Sequence, residues 1–390
     1  MPARPAHLYH ADLRYYEERA AGLLASAGDG TPNAVAAFTG AGAPLTETGA
    51  RTVLAVEHGL DSWEALTLAV GDLAAHPPPF ARAYRAVEAR DPDALAALLD
   101  ASPELVRARG TNGNDLLGMA GASGDGRLTE LLLTRGADPT AANHHGWTAL
   151  HQAAYGNRPD LIIRLIAAGA PVTASARGDG GTPLIIALFW GQRDAAELLA
   201  GHDTAPGNLR VAAGLGDADL LTALIGSDRQ PTPAAVAHRG FYRPHGGFPQ
   251  WQPGDDPQEA LDEAVAWAAR SDRTEVLAIL ATHGADLEAD VYRGTALAWA
   301  ATCGRTAAIR QLIALGADPS GRSTFGGPDH GRDVTPLHLA AQAGHVEAIT
   351  ALLTLGADPS ATDGLYASTP AGWAGEFGQA RAAELLRDAE

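Results

Sequence analysis

Thr335-Pro336-Leu337-His338-Leu339-Ala340 opens a segment that runs through Val346, Ile349, Leu352 and Leu353 to Gly356-Ala357-Asp358-Pro359. Thr is a favoured helix N-cap, and Pro suits the first helical position, where no N–H is needed. Val346, Ile349, Leu352 and Leu353 fall three and four apart, which gives a second helix one apolar face. Gly356 then supplies the left-handed residue that ends it. The segment recurs. Gly136-Ala137-Asp138-Pro139, Gly169-Ala170-Pro171, Gly284-Ala285-Asp286 and Gly316-Ala317-Asp318-Pro319 each follow an apolar helical run. In every copy the anchor of an earlier short helix precedes the Gly by 19 positions: Leu117, Leu150, Val265, Leu297 and Leu337. The markers at 136 and 169 are 33 apart and those at 284 and 316 are 32 apart. The step from 316 to 356 is 40, which places an insertion there. Such a unit cannot bury its own core. The Ala pairs Ala153-Ala154, Ala300-Ala301 and Ala340-Ala341 keep one helix face thin, so the units stack.

Residues 335–340 resemble the ankyrin-repeat signature without a mismatch, and Thr148-Ala149-Leu150-His151-Gln152-Ala153 and Thr182-Pro183-Leu184-Ile185-Ile186-Ala187 each miss it by one residue. Residues 295–300 and 369–374 are weaker copies. Over roughly residues 80–390 the chain therefore resembles a bacterial ankyrin-repeat protein. The resemblance implies an all-α ankyrin-repeat solenoid of about nine units. It also implies that His151 and His338 tie neighbouring loops together by hydrogen bonds. The expected organisation is a helical N-terminal cap at 1–79, units one to five at 80–226, an insertion loop at 227–257, and units six to nine at 258–390. The first unit, 80–99, lacks the signature. The fourth stops early at Gly201-His202-Asp203, and a bend is expected near residue 205.

In the cap, Leu13, Tyr16, Ala20, Leu23 and Leu24 recur at helical spacing, and further helices are expected at 46–58 and 62–75. Residues 50–66 resemble a leader found before bacterial ankyrin arrays. Two helices about a Gly turn could also read as a DNA-binding motif. Residues 1–79 carry four arginines and nine acids, a balance that repels phosphate, so a packing cap is the better reading. His58, at a helix end, is accounted for by the helix dipole. His144-His145 lies in a finger loop, where the pair could contact a partner or stand in solvent.

Composition narrows the function classes. The 390 residues carry 28 basic and 46 acidic side chains, a formal net charge of −18, which argues against non-specific binding to nucleic acid or anionic membrane. Every basic residue is arginine, and with the abundant Ala and Gly this suggests a GC-rich bacterial gene. A single cysteine excludes an intrachain disulfide and a cysteine-cluster zinc site. Cys303 reads as core. No secretory leader is visible and no stretch approaches a membrane span, so the expected location is the cytoplasm.

Chemistry is expected at two insertions, 227–257 and 320–334, which fall at finger-loop positions on the same side of the solenoid. The first contains His238-Arg239-Gly240-Phe241-Tyr242-Arg243-Pro244-His245 and Phe248-Pro249-Gln250-Trp251, with no acid between 238 and 251. The second contains Arg322, Phe325, His330 and Arg332. A basic and aromatic patch on an acidic protein attracts a carboxylate, another anion or an acidic partner segment. The ligand-binding candidates are Arg239, Arg243, Phe248, Trp251, Arg322 and Arg332. A structural alternative has Phe241, Phe248 and Trp251 filling the gap after the truncated fourth unit.

No phosphate loop, Gly-x-Ser-x-Gly or His-Glu-x-x-His motif occurs. No cofactor is expected, and a metal site at His238, His245 and His330 could only be assembled by assumption. Two readings follow. The first is a binding module that holds a protein or peptide partner, acidic segments included, on its concave and finger-loop face. The second is a metal-independent enzyme or small-molecule binder acting on an anionic metabolite between the insertions, with His238, Tyr242, His245 and His330 as acid or base.

Overall fold

The computed structural model describes the chain apart from residues 1–4, 29, 177–180, 203–206, 227–230, 238, 240–253, 255, 292–293 and 326–330. Regular structure among the described residues is helical, with only isolated β-bridges. Four helices open the chain: α1 (Leu13–Gly28), α2 (Pro32–Ala41), α3 (Glu47–Glu57) and α4 (Trp63–Asp72). Helix pairs follow: α5 (Pro79–Glu88) with α6 (Pro92–Ala101), α7 (Leu116–Ser123) with α8 (Gly126–Thr134), α9 (Ala149–Tyr155) with α10 (Pro159–Ala167), and α11 (Pro183–Phe189) with α12 (Arg193–Ala200). Beyond them come α13 (Leu209–Leu215) with α14 (Ala218–Ile225), a single turn α15 (Pro233–Val236), and α16 (Pro257–Arg270) with α17 (Thr274–Thr282). The chain ends in α18 (Ala296–Thr302) with α19 (Thr306–Ala314), α20 (Pro336–Ala343) with α21 (Val346–Thr354), and α22 (Pro370–Glu376) with α23 (Ala380–Arg387).

Two compact units hold these elements. The described residues of the first lie in 5–28, 30–176, 181–187 and 194–202, and those of the second in 188–193 and from 207 onward. Within each unit, first helices pack on first helices (α5, α7, α9; α16, α18, α20, α22) and second helices on second helices (α6, α8, α10; α17, α19, α21, α23). This two-layer stack is the all-α repeat solenoid expected from the sequence.

The repeated residues do what their chemistry predicts. Gly136, Gly169, Gly284, Gly316 and Gly356 all have positive φ. One residue on, the N–H groups of Ala137, Ala170, Ala285, Ala317 and Ala357 reach back to Leu132, Leu165, Leu280, Leu312 and Leu352 at 2.9–3.2 Å, closing each second helix. His151 is fully buried. Its Nδ1 accepts the Thr148 N–H at 3.1 Å, which leaves Nε2 to donate to the Ala174 and Gly181 carbonyls at 3.0 and 3.1 Å. His338 repeats this, with Nδ1 on the Thr335 N–H at 3.2 Å and Nε2 on the Ser368 carbonyl at 3.0 Å. Each ring thus fastens the start of its own helix to the loop leading into the next pair. Burial pushes the His151 ring down to about 4, so it stays neutral and keeps this tautomer.

The N-terminal helices have their own core, with Tyr16, Leu23, Leu54 and Leu66 fully buried. Thr46 and Ser62 cap α3 and α4 by accepting the Gly49 and Ala65 N–H groups. Helix α2 was not expected. Pro32 starts it and left-handed Gly42 ends it, but only Ala34 and Phe38 are buried, too short a stripe to register as helical periodicity. The expected bend near residue 205 falls outside the described residues.

Candidate functional site

The first unit carries a cavity of about 480 Å³ on its first-helix face. Its walls are Tyr9 from the N-terminal segment, Tyr15 and Arg19 of α1, Tyr84 of α5, Met119 of α7 and Gln152 of α9. Tyr9 is buried, its ring 4.5 Å from that of Tyr84 and edge-on to Phe80. Gly110 makes this possible: a Cβ there would lie 2.4 Å from Tyr9 Cε1. The hydroxyls of Tyr9 and Tyr15 are paired with each other. The Tyr84 hydroxyl donates to Glu88 at 2.5 Å. Burial, then the neighbouring Tyr15, pushes the Tyr9 phenol well above its ordinary value, and burial raises Tyr15 against the pull of Arg19. Both are therefore protonated donors at neutral pH. The Arg19 guanidinium lies over the Tyr15 ring, 4.7 Å from its centroid.

The segment leading into this cavity is pinned beneath it. Ala6 N–H donates to Glu57 O and His7 N–H to Arg109 O, both at 2.8 Å. His58 donates from Nδ1 to Ala6 O at 3.0 Å and accepts from the Thr111 hydroxyl at 3.2 Å. Glu57 accepts the N–H groups of Asn112 and Gly113 at 3.0 and 2.9 Å. Burial lifts this carboxyl to about 7 against the pull of those two donors. His145 is buried and shares a hydrogen bond of 2.7 Å with the Ser26 hydroxyl, while His144 lies 3.9 Å from Glu57. His58 does cap α3, as expected, but it is buried and neutral, so the helix dipole does not account for it; in the finger loop His145 is buried and His144 half-buried. All three join the N-terminal helices to the first finger loops, and burial holds His58 and His144 near 4 and uncharged.

The insertions fare differently. Arg239, expected to face a ligand, is buried: Nε donates to Glu263 at 2.6 Å, one NH2 group to Glu259 at 2.5 Å and the other to Gly254 O at 3.2 Å. Glu263 also accepts from Arg210 at 2.9 Å, and that guanidinium lies 4.9 Å from the Trp267 ring centroid. Carboxylates of α16 thus take the charge assigned to a ligand, a pairing that sequence spacing does not reveal. Arg322 is exposed and donates to the carbonyls of Asp333 in its own loop and Thr362 in the next finger loop at 3.0 and 2.9 Å, tying the two together. Arg332 is exposed. His238, Tyr242, Arg243, His245, Phe248, Trp251 and His330 lie outside the described residues, as does the packing of Phe241. Among the described residues no group of His, Cys, Asp and Glu is arranged to hold a metal ion. Cys303, expected in the core, is half-buried at the end of α18, and burial pushes its thiol up.

The cavity is not legible in the repeat because its aromatic and basic walls, Tyr9, Tyr15, Arg19 and Tyr84, come from the cap and from the unit without a signature, and only Met119, Gln152 and their neighbours come from regular repeats. One signal was present: Tyr9, Tyr15, Tyr16 and Tyr84 are half of the chain's 8 tyrosines, crowded into its first quarter.

Comparison with known proteins agrees with the fold. The family profile described as ankyrin repeats (3 copies) matches residues 116–208 and 209–323, more than half of the chain, and a single ankyrin-repeat profile matches 332–364. The chain belongs to the ankyrin-repeat family. Among its relatives, an E3 ubiquitin-protein ligase of Oryza sativa subsp. japonica is 41% identical over 91 residues, 23% of this chain and 20% of that protein. The Notch-regulated ankyrin repeat-containing protein of Xenopus tropicalis is 41% identical over 61 residues, and its human counterpart 39%, each over 16% of this chain and 54% of the relative. The matched stretches thus cover from a fifth to about half of these relatives. Ankyrin repeats generally mediate protein–protein interaction. No helix among the described residues is long and apolar enough to cross a membrane.

Proposed function

We propose that this chain is a binding module that holds a protein or peptide segment on the face formed by its first helices and finger loops. The observation that carries the reading is the cavity walled by Tyr9, Tyr84, Met119 and Gln152. It crosses three successive first helices, α5, α7 and α9, and so offers an extended chain one continuous line of contacts. Tyrosines there supply large contact area at low side-chain entropy cost. The lysine-free composition supports a bacterial source, and one cysteine in 390 residues suits a reducing compartment such as the cytoplasm. The rival reading of an anion-handling enzyme at the insertions loses Arg239, whose charge is taken up internally.

The test is selection of peptides from a random displayed library against the full chain. Micromolar binders are expected, with affinity falling at least tenfold in Tyr84→Ala and Met119→Arg. Binders whose affinity neither substitution changes would place the binding surface elsewhere and refute the reading.

A further inference from the structure

We propose that the tyrosine cavity of the first unit is a carboxylate subsite, taking one carboxylate of a bound peptide together with the apolar group next to it. The inference rests on the reading that this face holds a peptide.

Arg19 is the first reason. In the first unit Arg14, Arg109, Arg127, Arg135 and Arg164 stand beside a carboxylate, of Asp12, Asp115, Asp125, Asp100 and Glu130 respectively, whereas several exposed arginines and Arg90 of the same cavity do not; what sets Arg19 apart is the burial of its Nε. Arg19 has no such partner among the described residues, and its Nε is buried without a hydrogen bond. The ring of Tyr15 supports one face of the guanidinium, which directs its N–H groups outward in plane, the geometry that meets a carboxylate with two parallel bonds. A buried donor left unpaired is costly, and an arriving oxygen removes that cost.

The phenols supply the second reason. Tyr9 and Tyr15 have two hydroxyl protons and one hydrogen bond between them, so one proton remains to donate into the cavity. The third reason sets the charge of the ligand. Glu88 lines the same cavity and already accepts from Tyr84. With Arg19 and Arg90 also in the lining, one net positive charge remains, on a chain whose formal charge is −18. That matches a monoanionic carboxylate, whereas a phosphate dianion meets the repulsion of Glu88. The faces of Tyr9 and Tyr84, with Met119, then provide a flat apolar wall for the neighbouring group.

The experiment titrates the full chain with N-acetyl-phenylalanine, N-acetyl-phenylalaninamide and phenyl phosphate, followed by ligand-observed NMR. The acid is expected to bind at least tenfold more tightly than the amide and more tightly than the phosphate. Arg19→Gln should abolish the preference for acid over amide, and Arg19→Lys, which keeps the charge and guards against a folding artefact, should retain part of it. Equal binding of acid and amide overturns the proposal, as does a preference that survives Arg19→Gln or tighter binding of phenyl phosphate. Peptide selection separates the two readings. Peptides that bind through Tyr84 and Met119 while acid and amide bind alike sink the carboxylate subsite alone. An acid preference without any peptide bound at this face overturns the peptide as its occupant.

Discussion

Glu57 and Glu263 are both buried carboxyl groups, one in each unit, and they are handled in opposite ways. Glu263 stands between the guanidinium groups of Arg210 and Arg239, with its side chain fully buried. Glu57 meets two backbone N–H groups and a neutral histidine, and burial raises it to about 7. Charge meets charge at one site, and dipoles meet a proton-binding group at the other. A buried ion pair is rigid toward pH but intolerant of losing a member, whereas a buried neutral network responds to pH and tolerates losing one hydrogen bond.

The largest effect should come from breaking the ion cluster. Glu263→Leu leaves the buried guanidinium groups of Arg210 and Arg239 without their shared counter-ion, and a loss of about 3–5 kcal/mol is expected, read from chemical denaturation. The triple change Glu263→Leu, Arg210→Met and Arg239→Leu should recover most of it, since apolar groups of similar volume often replace a buried charge cluster at no net cost. If the single variant unfolds no more readily than the parent, the cluster is not holding α13 to α16.

How much of this was legible in advance differs along the chain. The repeat was, because each of its devices is local: Thr335 caps its own helix, Gly356 ends its own helix, and His338 reaches a loop whose position follows from the period. Arg239 was misassigned because its partners Glu259 and Glu263 lie 20 and 24 residues away on α16, and local composition shows only that 238–251 lacks acids. The cavity escaped for a similar reason. Tyr9, Arg19 and Gln152 have no common period; the finger bearing Gly110 brings them together, with the N-terminal segment lying along it.

An intermediate effect sharpens the contrast on the neutral side. His58 is held near 4 by burial, below its unfolded value near 6.5. A depressed value means that the unfolded chain binds the proton first, so the stability this ring contributes is present above 6.5 and is lost as pH falls toward 4. Between pH 7 and 5 the loss amounts to about 2 kcal/mol for this group. Glu57 runs the other way. Raised from 4.5 to about 7, it contributes stability that is present below 4.5 and lost as pH rises through 7. Between 4.5 and 6.5 Glu57 opposes His58 together with His144 and His151, which burial also holds near 4, so the three rings outweigh it and the stability of the parent should rise with pH there. His58→Gln, neutral at every pH, should remove one of the three histidine contributions and leave a shallower rise in stability from pH 5 to 7. A profile unchanged by that substitution would show that His58 is not buried uncharged. Hydrogen exchange at the Asn112 and Gly113 amides, which Glu57 holds, localises the effect to the first finger.

The smallest effect tests whether proximity of opposite charges is enough by itself. Arg164 and Glu130, on neighbouring second helices, form an ion pair, but their side chains are 49% and 61% exposed. Water screens such a pair and both long side chains lose rotamer freedom in making it, so Arg164→Ala should change stability by under about 1 kcal/mol. The comparison with Glu263 is then one of solvent exposure at matched chemistry: an arginine and a glutamate within hydrogen-bonding reach in both places. If Arg164→Ala cost as much as Glu263→Leu, contact rather than desolvation would set the energy of these pairs, and the opposite handling of Glu57 and Glu263 would need another cause. A small effect that shrinks further in high salt ties the difference to burial.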